Sequence, residues 1–184
     1  MNKEPERTEK EIEFPAAGIK EKGGVGMTEK AVRFHQKCRA ACWLIVITQL
    51  TVLFLRWPSL PDLIPAHYDA AGAVHRWGSK AELFLLPCFS ILMTAALEWV
   101  SRHPKWWNIP AEVTENNREA LQSVTLRILS IMELLTILGF ALLEFLSMTG
   151  RPLPAGLTVG LVLVWMALIP IAILWLLRTA ERYR

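Results

Sequence analysis

LPAGLTVGLVLVWMALIPIAILWLL, residues 153–177, runs for 25 residues without a charge. A helix of that length, rising about 1.5 Å per residue, crosses a hydrocarbon core of about 30 Å. Lipid offers no partner to backbone N–H and C=O groups, so such a block crosses as a helix. Pro170 predicts a kink within it. Three earlier apolar blocks, at about 40–60, 83–101 and 128–148, read the same way. The chain is 53% hydrophobic, a share that a soluble domain can reach, but here the apolar residues fall in blocks. The expected class is an all-α membrane protein with four transmembrane helices over residues 28–184. A charged tail, residues 1–27, is too poor in large apolar residues to fold and is expected to be disordered. Thr28 is placed to cap the first helix.

Composition narrows the rest. The formal charge is only +3, with basic and acidic residues interspersed, so nucleic acid is not an expected partner. The three cysteines, Cys38, Cys42 and Cys88, do not make a disulfide framework. His35, Cys38 and Cys42 recur at i, i+3 and i+7 but lack a fourth ligand, so no metal site is expected; an inert stripe or an acylated juxtamembrane thiol fits them. No cofactor motif is present. No cleavable leader is read at the N-terminus. Of the 20 Lys and Arg, 16 fall on the tail side of the membrane if the N-terminus is inside, and 4 in the two opposite loops. Both termini are therefore expected in the cytoplasm.

The loop between the first two spans, LPDLIPAHYDAAGAVHRWGSK at residues 60–80, is dense in backbone breakers and polar groups. Pro58, Pro61 and Pro65 forbid a helix, Gly72 suits a left-handed turn, and Trp57 and Trp77 suit the headgroup level. Lys80 can meet a lipid phosphate or a loop carboxylate. Asp62, His67, Tyr68, Asp69, His75 and Lys80 carry chemical capacity. Three readings fit: a cap whose side chains satisfy its own backbone, a recognition surface, or a metal or proton-transfer site on His67, Asp69 and His75.

The run Leu60-Pro61-x-x-Ile64-Pro65-x-His67-Tyr68, followed by Gly72 and by Trp77-Gly78-Ser79-Lys80, resembles the signature of the membrane family called domain of unknown function 1648, related to SdpI-type toxin-immunity membrane proteins. Trp107-Asn108-Ile109-Pro110 and Thr114-Glu115-Asn116 resemble its later Asn-x-Pro and Thr-x-x-Asn elements. The resemblance spans roughly residues 44–147. His75 departs from it, standing where the family usually has an acid, and Asp69 stands where asparagine is common. The resemblance implies an integral protein of the bacterial plasma membrane, in some members one that resists or senses a secreted peptide.

Ionisable groups within spans point to function by default. Glu133 and Glu144, eleven apart, share a face of the third span, and Ser90, Thr94 and Glu98 form a stripe on the second. Glu98 and Glu133 are expected at similar depth, where they would share a proton or be neutralised by Arg102 and Arg127; Arg56 is expected opposite Glu144. Gln49, with Thr48 and Thr51, is expected to bond between helices. Gly156 and Gly160 form a GxxxG motif, suited to packing within the bundle or to a homodimer.

The leading expectation is recognition of a membrane-active peptide by the outer loop, through Pro61, Pro65, His67, Tyr68, Asp69, Gly72, His75, Trp77 and Lys80, in immunity or signalling. The alternative is a small transporter or proton-coupled channel using Glu98, Glu133 and Glu144. Enzymatic activity is not expected, since no nucleophile elbow or metal-ligand motif is present. The expected partners are the bilayer and a peptide or membrane protein.

Overall fold

The computed structural model describes residues 27–154 and 156–184. The expected disordered tail lies, but for Met27, outside the described residues. Four long helices order the chain: α1 (Glu29–Arg56), α2 (Leu85–Ser101), α3 (Arg118–Met148) and α4 (Leu157–Arg182). All four are long and apolar enough to cross a membrane. Between α1 and α2 lies an antiparallel hairpin, β1 (Leu63–Tyr68) and β2 (Val74–Ser79).

The helices extend beyond the apolar blocks. α1 begins at Glu29, where Thr28 Oγ1 accepts the Ala31 N–H and the Thr28 N–H donates to Ser123 Oγ. α3 begins ten residues before its apolar block, at Arg118. There Thr114 and Asn117 bond each other reciprocally, and the Asn117 amide donates to the Glu112 carbonyl. Hydropathy marks where side chains meet lipid, whereas backbone bonding carries the helix past that boundary.

Two boundaries differ from expectation. α1 stops at Arg56 and runs into a short 3-10 turn, Trp57–Ser59, at Pro58. The fourth helix starts at Leu157, not Leu153. Gly156 takes φ +80° at its N-cap, and Leu153 is instead buried against the hairpin.

α1 and α3 form the main helix pair, α2 packs on both, and α4 packs on α3. The buried clusters are small. One joins Cys42, Val46 and Ile137 in mid-bundle; another joins Leu121, Ile128 and Leu176 near the chain ends. Most apolar side chains of α4 face outward, including Val162, Leu163, Met166, Ile171 and Leu174, as lipid-facing residues do. Gly156 and Gly160 make no close packing contact among the described residues: an added Cβ at either would meet nothing within 4 Å there.

Candidate functional site: a hairpin over the helix ends

The loop with three prolines folds as strands. Ile64, Tyr68, Val74 and Trp77 supply β-prone side chains, and Asp69 and Gly72 supply the turn. Asp69 organises that turn three times: its N–H donates to the Ala73 carbonyl, its carbonyl accepts from Gly72, and its carboxylate accepts the Ala73 N–H at 2.8 Å. Its carboxylate is thus engaged with its own turn. Pro65 sits in β1 opposite Trp77, and the register slips between Pro65 and His67, as strand prolines tolerate at irregular edges.

A lone two-stranded hairpin is marginal in water; this one is docked on the helix ends at several points. Leu60 and Ile64 join Leu53 and Leu83 in a buried cluster, flanked by Trp57, Phe84 and Met148. Trp57 packs on Phe84 with ring centroids 5.1 Å apart, and the Lys80 ammonium lies 5.3 Å from the Trp57 ring. Lys80 also pairs with Asp62 at 3.0 Å, so it meets the loop carboxylate. Arg76 makes two hydrogen bonds to Glu82, at 3.1 and 2.7 Å. Gly78 is needed beneath that pair, because a Cβ there would overlap Glu82 and Ala66. At the tip, Gly72 adopts φ +86° and its carbonyl accepts the Leu153 N–H at 2.8 Å.

The hairpin roofs a cavity of about 490 Å³ bounded by α2, α3 and α4. Leu86, Phe89, Leu143 and Val162 give it an apolar wall, while His67, Tyr68, Arg76, Glu82 and Ser147 stand at the hairpin end. The Tyr68 hydroxyl is 3.4 Å from Ser147 Oγ. The His67 and His75 rings meet edge to face at 5.8 Å. Both imidazoles are exposed, as is Trp77, and Pro61 lies at the exposed base of the hairpin. The structure thus brings the two histidines together, places Asp69 in the turn, and puts Lys80 on Trp57 and Asp62. No group of three His, Cys, Asp or Glu arranged for a metal ion occurs among the described residues.

The intramembrane carboxylates differ in their partners. Glu98 is held by Arg39 and Arg102, with His35 Nε2 at 3.8 Å. His35 Nδ1 in turn lies 2.9 Å from Ser130 Oγ. Arg102 fulfils its expected role, but Arg127 pairs with no acid among the described residues. Arg39 was missed because it lies just before the apolar block; its spacing of one turn from His35 is the available signal. Glu144, 1% exposed, accepts from the Gln49 amide at 2.7 Å rather than pairing with Arg56. Thr48 and Thr51 donate to carbonyls of their own helix, so Gln49 alone carries the interhelical bond. Glu133 is 3% exposed and has no ion-pair partner among the described residues.

Four lipid-compatible helices with a docked extramembrane hairpin define a multi-pass membrane protein. Residues 44–91, which hold the last 13 residues of α1, the hairpin and the start of α2, match the family described as "Domain of unknown function (DUF1648)". An uncharacterized protein of Archaeoglobus fulgidus is 37% identical over 65 residues, covering 31% of this chain and 36% of its own length. The chain therefore aligns with only about a third of that relative. No solved structure matches. The family match ends at Ile91 and does not take in the Asn108-x-Pro110 and Thr114 elements.

Proposed function

We propose that this protein recognises a membrane-active peptide at the hairpin-roofed cavity, in immunity or in relaying the peptide's presence. The observation that carries the reading is the amphipathic cavity itself, mostly apolar along α2, α3 and α4, where Ser147 and Thr158 are the polar exceptions, and richest in polar groups at the hairpin. An amphipathic segment lying in the interface presents that same division. On this reading His67, Tyr68 and Arg76 meet its polar groups, and Phe89, Leu143 and Val162, which line the same cavity, its apolar side chains. The test is survival of cells carrying the parent or His67→Ala against a panel of membrane-active bacterial peptides, with membrane levels of both proteins matched. Protection by the parent and its loss in the variant is the expected result. A parent that reaches the membrane and protects against none of them removes the reading.

A second reading, proton-coupled transport, is favoured by a separate observation: among the described residues buried Glu144 has only an amide as partner, and one carboxylate oxygen meets no donor. Proton flux in liposomes that Glu144→Gln abolishes and His67→Ala leaves intact would select it.

A further inference from the structure

We propose that the cavity between the first turns of α3 and the last turns of α4 binds the phosphate of an anionic phospholipid. This cavity, about 400 Å³, lies at the opposite end of the bundle from the hairpin. Ala120, Ser123, Val124 and Arg127 line it from α3, and Trp175, Arg178, Thr179 and Arg182 from α4. Each set recurs at i, i+3, i+4 and i+7, so each is one continuous helix face.

Three arginines therefore line one cavity, Arg182 with its guanidinium over the Tyr183 ring, and none of Arg127, Arg178 and Arg182 pairs with a carboxylate among the described residues. The Arg127 Nε is buried with no acceptor among the described residues. A buried donor left unmade is costly, and so are like charges brought together without a counter-ion. An anion relieves both at once, and the planar guanidinium fork matches phosphate oxygens. Ser123, 5% exposed, accepts from the Thr28 N–H and donates to no protein acceptor among the described residues, which leaves its hydroxyl hydrogen for the ligand.

The geometry points to lipid rather than a free anion. Trp175 stands one turn from Arg178, and the outward face beyond it is apolar through Ile171 and Leu174. A phosphate on the arginines would thus leave its acyl chains along α4, with the Trp ring at the headgroup level.

The experiment uses full-length protein in mild detergent, titrated with phosphatidylglycerol or phosphatidylcholine and read by native mass spectrometry. Phosphatidylglycerol is expected to bind on the order of ten-fold or more tightly than phosphatidylcholine, with each arginine removed costing roughly five-fold. Arg178→Gln and the Arg178→Gln/Arg182→Gln pair should show graded loss, and Arg151→Gln at the far end should show none. Arg178 and Arg182 are exposed on α4, so these variants carry the test if Arg127→Gln does not fold. Equal binding of the two lipids, or no loss in the double variant, overturns the proposal. So does inorganic phosphate that displaces phosphatidylglycerol at equal concentration, which would make this a free-anion site.

Discussion

Gly72 is the position where a single atom matters most. Its φ of +86° is costly for any residue with a side chain, and an added Cβ would stand 2.8 Å from the Leu153 carbonyl oxygen. Gly72→Ala is expected to destabilise the fold by more than about 1 kcal/mol, read as a lower thermal midpoint in detergent; an unchanged midpoint would show that the tip is not docked in solution. Glu98 is a second such point, because among the described residues it alone answers Arg39 and Arg102. Glu98→Gln leaves two guanidiniums with a neutral partner and should cost about 1–3 kcal/mol, the range for hydrogen bonds to charged groups. Arg39→Gln should cost less, since Arg102 still holds the carboxylate; equal losses would mean that Arg39 is the dominant partner. Glu144 answers to Gln49, and the pair was legible only in part. Gln49 was recognisable as an interhelical donor, but sequence gives no azimuth by which to prefer it over Arg56 as the partner of Glu144.

At the scale of elements, the spans were legible and the hairpin was not. A run of apolar residues reports its own surroundings, because lipid selects every side chain that faces it. A short strand reports by alternation, and Pro61 and Pro65 interrupt that signal just where β1 forms. The turn residues Asp69 and Gly72 were visible, but their bonds to Ala73 and Leu153 depend on tertiary placement. The convergence of His67 on His75 follows from the register, which no spacing rule supplies. Asp69→Ala removes the side-chain bond to the Ala73 N–H and should weaken the turn by about 1 kcal/mol. Faster amide hydrogen exchange at Ala73 and Gly72, with helix amides unchanged, is the expected signature. Protection that stays as in the parent would mean that the Gly72–Leu153 bond alone holds the tip. The start of α4 was misplaced for a related reason: Leu153 is apolar, but what it contacts is protein rather than lipid.

At the scale of the molecule, the hairpin and the 102–117 segment stand at opposite ends of the bundle. From the distribution of Lys and Arg we propose that the hairpin faces outward. Cysteines introduced as His75→Cys and Lys105→Cys should then be labelled by a membrane-impermeant maleimide from outside and inside respectively. Labelling of both from one side would contradict the four-span threading, and labelling in the reverse sense would invert it.

The bond from Leu153 to Gly72 also has a mechanical meaning. It ties the tip of the hairpin to the short connection from which α4 departs, and α4 has few anchors besides α3. On the proposed reading, a guest beneath the hairpin would pull on the end of a long helix. Its opposite end carries Arg178 and Arg182, so that pull would reach the other end of the bundle as a displaced pair of charges.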